Sequence, residues 1–141
     1  MQLKDIMQSP VIAVHPGESV AVAARTMTHY NIGFLPVCSA GQLRGVVTDR
    51  DMVTRCLAAG RDPEKTPVSM VMTRQVVTAT PEMETGVAAH LMGRRQIRRL
   101  PVMESGQLRG MVSLGDIASQ YEGAIDAGDA LSDVVAKPEK Q

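Results

Sequence analysis

Aromatic residues are nearly absent from this sequence, which has no Trp, one Phe and two Tyr. Its core must therefore be built from aliphatic side chains and from the ten Met residues, which fill irregular spaces well. Cysteine is also scarce: Cys38 and Cys56 are the only two, and they lack C-x-x-C spacing. This argues against a disulfide scaffold, and we interpret both as reduced, small hydrophobic residues.

The sequence has no excess of either charge, because 15 Lys and Arg residues balance 15 Asp and Glu residues. A protein that binds nucleic acid by bulk electrostatics usually presents a basic face, so neutrality argues against that class. No apolar run reaches the roughly 18 residues that span a bilayer, so we expect no membrane insertion. The first residues lack the basic start and apolar stretch of a signal peptide, and we expect a cytoplasmic location.

An internal repeat is the strongest feature of the sequence. Shifted by 65 positions, the chain matches itself without a gap: Leu35-Pro36-Val37 falls on Leu100-Pro101-Val102, and Gly41–Gly45 falls on Gly106–Gly110. A repeat of this size indicates one supersecondary unit used twice, each copy too small to bury its apolar face well alone.

Each repeat is predicted to be β-α-β-β-α, from alternating apolar residues, helical apolar spacing and turn residues. Ser19 is the expected N-cap of the first helix. In the first repeat we predict strands at Val11–Val14, Phe34–Cys38 and Leu43–Val47 and helices from Ser19 to His29 and from Asp49 to Ala59. In the second we predict strands at Val76–Ala79, Leu100–Met103 and Leu108–Val112 and helices at Thr85–Arg94 and Leu114–Glu122.

The predicted boundaries follow the repeat. Residues 1–60 form the first repeat, 61–67 a polar linker bracketed by Pro63 and Pro67, and 68–123 the second repeat. Residues 124–141 form a tail with a weak helical pattern at Ala130-Leu131 and Val134-Val135. The segment Lys137–Gln141 is expected to be disordered.

The chemistry is predicted to lie where a strand leads into a helix in each repeat. Gly45-Val46-Val47-Thr48-Asp49-Arg50-Asp51 matches Gly110-Met111-Val112-Ser113-Leu114-Gly115-Asp116. Unpaired N–H groups at a helix N-terminus attract anions, a hydroxyl can donate to phosphate, and a carboxylate can accept from ribose hydroxyls. The same spacing also describes a capping box, whose side chains only complete a helix start, and the two roles are compatible. Glycine ahead of the corner lets a ligand or a neighbouring chain approach the backbone closely.

These residues resemble a tandem pair of CBS domains, over about residues 3–122, and the small stand-alone bacterial CBS-pair proteins in particular. The resemblance implies an α/β (α+β) fold in which two β-α-β-β-α CBS repeats pack as a pseudo-twofold Bateman module. It implies two clefts that hold AMP, ADP, ATP or another adenosyl compound, with no required cofactor and no catalytic residue. One cleft would use Met111, Ser113 and Asp116 with Ile32, Gly33 and Phe34; the other would use Val46, Thr48 and Asp51 with Ile97, Arg98 and Arg99; Ile12 and Val77 would add walls.

The run Arg94–Arg99 is the one concentration of charge. Arg94 and Arg95 suit a helix C-terminus in solvent, whereas a phosphate role is favoured for Arg98 and Arg99 because a guanidinium matches phosphate oxygens. The first repeat has Gly33 and Phe34 there, so the clefts should differ in affinity for charged ligands. The three His residues are unrepeated and lack metal-ligand spacing, so we predict no metal site.

We therefore predict a non-catalytic regulatory or sensor module that binds an adenine nucleotide. A homodimer is expected through helical faces that include Met52-Val53-Cys56-Leu57 and Ile117-Ala118-Tyr121, and an unknown effector protein would carry the output. One alternative is a ligand-free scaffold for protein interaction. Another is RNA or DNA binding through the arginine run.

Overall fold

The computed structural model describes residues 1–120 and 124–136, and the chain divides into two compact units. We call residues 12–76 the first-repeat unit, and residues 1–11 with the chain from 77 onward the second-repeat unit. The spatial division therefore differs from the predicted sequence boundaries. Residues 1–11, predicted to belong to the first repeat, lie in the second-repeat unit, and residues 68–76, predicted to belong to the second repeat, lie in the first-repeat unit.

In the first-repeat unit, helix α1 runs over Val20–Tyr30. Ser19 is its N-cap as predicted, accepting from the Val22 N–H at 3.1 Å, and Asn31 ends it in the left-handed conformation at φ 54°. Strands β1, Phe34–Ser39, and β2, Gln42–Thr48, pair as the predicted antiparallel hairpin. Helix α2, Asp49–Met52, continues as a π-helical turn over Val53–Leu57, so the predicted helix is present but changes its hydrogen-bond spacing midway.

The second-repeat unit follows the same plan, which confirms the predicted mixed helix-and-strand fold class. Strands β3, Arg99–Glu104, and β4, Gln107–Ser113, pair antiparallel with the same register shift as β1 and β2. The last helix of the repeat is shorter than predicted within the described chain, and Glu122 lies outside that range. The elements are α3, Thr85–Arg95; β3, Arg99–Glu104; β4, Gln107–Ser113; α4, Leu114–Ala118; and a further helix α5, Ala124–Ala136.

The predicted first strand of each repeat is reduced to a single parallel bridge. Val14 donates its N–H to the Pro36 carbonyl at 3.0 Å and accepts from the Cys38 N–H at 2.8 Å. The ladder would continue through the N–H groups of residues 36 and 16, and both are proline, which has none. Pro101 and Pro81 occupy the matching positions around the Ala79 bridge to Val102. The prediction of full strands at Val11–Val14 and Val76–Ala79 was wrong for this reason.

The predicted linker, residues 61–67, packs against the start of α1. The Val20 N–H donates to the Thr66 carbonyl at 2.8 Å, and the Ala21 N–H donates to the Pro63 carbonyl at 3.0 Å. Thr66 is itself buried. Two N–H groups that a helix start leaves without intrahelical partners are thereby satisfied, so this segment is part of the first-repeat unit.

Each unit has its own aliphatic core. In the first-repeat unit Leu35, Val47 and Cys56 are fully buried, and in the second-repeat unit Leu3 is fully buried beside α3 and α4. Within the described residues, no helix has both the length and the apolar character needed to cross a membrane.

The predicted helical pattern near the C-terminus forms α5. Ala127, Ala130 and Val134 are buried along one side of this helix. The segment Lys137–Gln141, for which disorder was predicted, lies outside the described residues.

Candidate functional site

The first strand-to-helix corner joins β2 to α2 and is a complete capping box. The Asp51 N–H donates to Oγ1 of Thr48 at 3.0 Å, and the Thr48 N–H donates to Oδ2 of Asp51 at 3.0 Å. Thr48 thus holds the extended conformation of an N-cap residue. The reciprocal pair satisfies two N–H groups that would otherwise lack partners at the start of α2.

The second corner, between β4 and α4, repeats this geometry. The Asp116 N–H donates to Oγ of Ser113 at 3.0 Å, and the Ser113 N–H donates to Oδ2 of Asp116 at 2.8 Å. Both side chains of the predicted ligand motif therefore cap a helix. A capping hydroxyl still carries its own proton to donate, so capping and ligand binding remain compatible.

The second oxygen of each carboxylate meets a different partner. Oδ1 of Asp116 accepts from the Gln8 side-chain amide at 3.1 Å. Oδ1 of Asp51 lies 3.8 Å from Nε of Arg55, and the Asp51 side chain is only 14% exposed. The two corners share their capping bonds but differ in charge, with a neutral amide at one and a guanidinium at the other.

The short segment before each hairpin lies against the corner of its own unit. The Asp49 N–H donates to the Gly33 carbonyl at 3.0 Å, and Phe34 pairs with Thr48 across the hairpin. A Cβ on Gly33 would lie 2.8 Å from a carboxylate oxygen of Asp49, so a side chain at this position would displace the Asp49 carboxylate. Ile32 is 36% exposed beside it.

The equivalent segment of the second-repeat unit behaves in the same way. The Leu114 N–H donates to the Arg98 carbonyl at 2.8 Å, and Arg99 pairs with Ser113. Ile97 is 1% exposed and belongs to the core. The predicted division of each cleft between both repeats stays a prediction.

The predicted wall residues Val46 and Met111 each pair with a backbone segment. Val46 and Thr73 exchange two backbone hydrogen bonds at 2.9 and 2.8 Å, and Met111 and Gln8 exchange two at 3.0 and 2.8 Å. Each pairing is an isolated antiparallel bridge that places a third backbone segment beside the hairpin. The remaining wall residues, Ile12 and Val77, are partly buried against the cores of their units.

Glycine before each corner is explained by these added segments. A Cβ on Gly45 would lie 2.6 Å from the Thr73 carbonyl oxygen, and a Cβ on Gly110 would lie 2.7 Å from Sδ of Met7. A segment of the same chain therefore lies against each of these two glycines, where the sequence analysis expected a ligand or a neighbouring chain. The sequence analysis did not identify these two added segments. Their equivalence was detectable, because Met7 and Met72 coincide under the 65-residue shift.

Two cavities open within the first-repeat unit. The larger of the two has a volume of about 570 Å³ and no carboxylate among its lining residues. Arg55, which lines it, donates from Nη1 to the carbonyls of Val71 and Met72 at 3.2 Å. The other, of about 430 Å³, lies between α1 and α2. The first is lined by Arg55, Ser69, Met70, Met72, Thr73, Arg74 and Gln75.

Candidate metal ligands do not cluster in the described part of the chain: no group of three His, Cys, Asp or Glu side chains comes together there. Cys38 and Cys56 are both free thiols. Burial raises the pKa of the Cys38 thiol by desolvation.

Comparison with known proteins identifies the repeat. The CBS domain family model matches residues 3–58 and again 68–123. The CBS domain-containing protein YhcV of Bacillus subtilis is 41% identical over 132 residues, which cover 94% of both chains. The crystal structure of Hypoxic Response Protein I with two coordinated zinc ions has a TM-score of 0.77 and 32% identity, covering 84% of this chain and 98% of that one.

A third similar structure contains adenosyl ligands. The CBS domain pair of protein MJ0100, in complex with 5-methylthioadenosine and S-adenosyl-L-methionine, has a TM-score of 0.76 and 29% identity, covering 88% of this chain and 98% of that one. The two family matches fall on the two copies of the internal repeat. The chain therefore belongs to the CBS domain family, as a tandem CBS pair.

Proposed function

We propose that this protein is a non-catalytic regulatory module that binds an adenine nucleotide or another adenosyl compound at its strand-to-helix corners. CBS-domain pairs are regulatory and generally non-catalytic modules. The observation that carries the proposal is the duplicated corner, in which Thr48 with Asp51 and Ser113 with Asp116 adopt one geometry. The adenosyl ligands of the similar MJ0100 pair give the ligand class.

The proposed contacts use the carboxylate oxygens and hydroxyl protons that take no part in the capping bonds. Oδ2 of each Asp is engaged by the cap, so Oδ1 would accept from the ribose hydroxyls in place of Gln8 or Arg55. The Thr48 or Ser113 hydroxyl would donate its proton to a phosphate or to a sugar oxygen. A carboxylate that accepts from hydroxyls makes charge-assisted hydrogen bonds, which are stronger than neutral ones.

The remaining predicted residues would hold the base and the phosphates. Apolar side chains would line the base, and guanidinium groups of Arg98 and Arg99 would meet phosphate oxygens. Because Gly33 and Phe34 stand at the matching positions of the first repeat, the clefts would differ in affinity for charged ligands. The residues proposed to line the base are Ile12, Ile32, Phe34, Val46, Val77, Ile97 and Met111.

A ligand-free interaction module is the second candidate. Its support is that both carboxylates already have partners within the chain, including the Gln8 amide at 3.1 Å from Asp116. Nucleic-acid binding through Arg94–Arg99 is a weaker alternative, because the net charge is zero. Absence of any gel retardation of RNA or DNA at low salt would eliminate it.

Ligand binding is tested by mass spectrometry of small molecules retained by the purified protein, followed by thermal shift with AMP, ADP, ATP, NAD and S-adenosylmethionine. A ligand at 100 times its dissociation constant should stabilise the fold by about 2.7 kcal/mol. Asp51→Asn and Asp116→Asn keep the size of the side chain and remove its charge, so each should weaken binding. Asp129→Asn, at an exposed position of α5, is the matched control. No shift with any ligand, or equal affinity in all four proteins, would contradict the proposal.

The proposal also includes a cytoplasmic location, a homodimer and an effector protein. Two free thiols fit a reducing compartment such as the cytoplasm. We propose a homodimer that signals to an effector protein. Sedimentation velocity of the purified protein tests the first point, and affinity capture with and without the bound nucleotide tests the second.

A further inference from the structure

The larger cavity of the first-repeat unit is lined by two arginines. Arg55 belongs to the π-helical turn that follows α2, and Arg74 belongs to the segment beside β2. The volume of about 570 Å³ lies in the range of about 300–1,000 Å³ that is usual for small-molecule sites. Every lining residue comes from this one unit, so the geometry of the cavity depends on the first-repeat unit alone.

One short stretch of backbone holds both guanidinium groups. Nη1 of Arg55 donates to the carbonyls of Val71 and Met72 at 3.2 Å, and Nη2 of Arg74 donates to the Ser69 carbonyl at 3.4 Å. Val71 and Met72 are buried, so Arg55 is anchored to a packed segment. These bonds use neither Nη2 of Arg55 nor Nη1 of Arg74, and a guanidinium has five N–H donors. Each arginine therefore retains donors beyond those that hold it in place.

The cavity has an excess of positive charge. Its lining residues include no carboxylate, and the Asp51 carboxylate, which lies outside the lining, is 3.8 Å from Nε of Arg55. Within the described part of the chain, Arg74 makes no ion pair. Two cations beside one carboxylate leave a positive charge that an anion would neutralise. The cavity therefore favours an anionic ligand over a neutral or cationic one.

The second repeat lacks this pair of arginines. Under the 65-residue shift they correspond to Gln120 and Ser9, which are both neutral. Met70, which lines the cavity, corresponds to Asp5, and these two residues each end a short 3₁₀ turn. The second repeat thus has a carboxylate at a position where the first has an apolar side chain. The arginine pair is a property of the first-repeat unit and is not required by the shared fold.

The donor groups of the lining suit phosphate. A guanidinium matches two phosphate oxygens at once, and the hydroxyls of Ser69 and Thr73 can donate as well. Two arginines also match the charge of about −2 that a phosphate group carries near neutral pH. A volume in the small-molecule range leaves room for linked phosphate groups.

We propose that Arg55 and Arg74, with the two hydroxyls, form a binding site for a phosphate-bearing ligand in this cavity. Two sources share this chemistry. One is the phosphate chain of a nucleotide whose ribose is held at Asp51, and this source rests on the proposed function. The other is free pyrophosphate, which does not.

Titration of the ¹⁵N-labelled protein with sodium pyrophosphate, followed by NMR, tests the site directly. The amide signals of residues 69–75 and the Nε–H signals of Arg55 and Arg74 should shift. Arg74→Gln and Arg55→Lys should each raise the dissociation constant by about tenfold, because each loses part of a charge-assisted contact. Arg44→Gln is the matched control: it removes the same charge from an exposed position of β2 outside the cavity, and it should keep the wild-type affinity.

Arg55 also holds the backbone turn, so circular dichroism melts establish that each variant is folded. If Arg55→Lys does not fold, the exposed Arg74 decides the question through Arg74→Gln. Unchanged affinity in a folded arginine variant, or equal weakening by Arg44→Gln, would overturn the proposal.

Parallel titrations with ATP and adenosine distinguish the two sources. If the phosphates of a nucleotide fill the cavity, ATP shifts the signals of residues 69–75, adenosine does not, and Arg74→Gln weakens ATP alone. If the ligand is free pyrophosphate, it shifts these signals and ATP does not. No shift with either anion at millimolar concentration would overturn the site. Asp51→Asn should keep pyrophosphate binding, so a failure of adenosyl binding at the corner would contradict the proposed function and leave the phosphate site standing.

Discussion

The Gln8 side-chain amide donates to Oδ1 of Asp116 at 3.1 Å, although 108 positions separate the two residues in the chain. This contact exists because the segment that precedes the first repeat lies beside β4, where Gln8 and Met111 exchange backbone hydrogen bonds. In the first-repeat unit the same carboxylate oxygen faces Arg55 instead. The helix caps are therefore the same in the two repeats, whereas the groups beside the two carboxylates differ in charge.

Removal of the Gln8 amide should strengthen adenosyl binding at the second-repeat corner. A ligand must displace this amide from Asp116, and a hydrogen bond to a charged group contributes about 1.5–3 kcal/mol when buried. Because this contact is exposed, we expect Gln8→Ala to lower the dissociation constant by only a few-fold. Isothermal titration calorimetry, with the ligand identified in the thermal-shift screen, measures this dissociation constant.

Gln42→Ala is the control for this experiment, since Gln42 is exposed at the start of β2. It should leave the affinity unchanged. Weaker binding by Gln8→Ala would mean that the amide contacts the ligand and does not compete with it.

Loss of a capping hydroxyl should lower the free energy of unfolding. Thr48→Ala and Ser113→Ala each leave one N–H without its acceptor, and such changes cost about 0.5–2 kcal/mol. Thr48→Ser retains the oxygen and should cost much less. Urea unfolding followed by circular dichroism gives the values; equal stability of Thr48→Ala and the wild type would show that water replaces the cap without loss.

Local signals in the sequence predicted most of this fold. The hairpins, the N-cap at Ser19 and the turn at Asn31 depend on neighbours in the chain, so composition and spacing were sufficient. The shortened first strands could also have been deduced, because Pro16 and Pro36 lack the N–H groups that a ladder needs. What the repeat alone did not reveal was that each leading segment joins the other unit.

The candidate site was predicted only in part. Spacing identified Thr48 with Asp51 and Ser113 with Asp116, and the structure places each pair in a capping box. It could not identify Gln8 or Arg55 as partners of the carboxylates. The Gln8 contact depends on tertiary packing between residues 108 positions apart. The Arg55 contact comes from one helical turn beyond Asp51, outside the capping motif.

Substitution of Gly93 should loosen the packing of α5 against α3. Alanine is normally favoured over glycine inside a helix by about 0.5–1 kcal/mol, but here its Cβ would meet Ala130 at 3.1 Å. We therefore expect Gly93→Ala to destabilise the protein and to increase hydrogen exchange along α5. Gly128→Ala is the matched control: nothing lies within 4 Å of its Cβ position, so it should stabilise. Gains of similar size in both variants would contradict the tight α3–α5 contact.

The Cys38 thiol should react slowly in the native state. Desolvation raises its pKa above the ordinary value of 9.0, and because alkylation requires the thiolate, native labelling by iodoacetamide at pH 8 should be slower than labelling in urea. The raised pKa of the Cys38 thiol also makes stability depend on pH. The folded state holds this proton more tightly, so the contribution to stability is complete below the unfolded-state pKa and falls as the pH rises toward the folded-state pKa. Cys56→Ala removes the second, buried thiol, so labelling of that variant over pH 7–10 reports Cys38 alone, and equal native and denatured rates would show that the thiol is fully solvated.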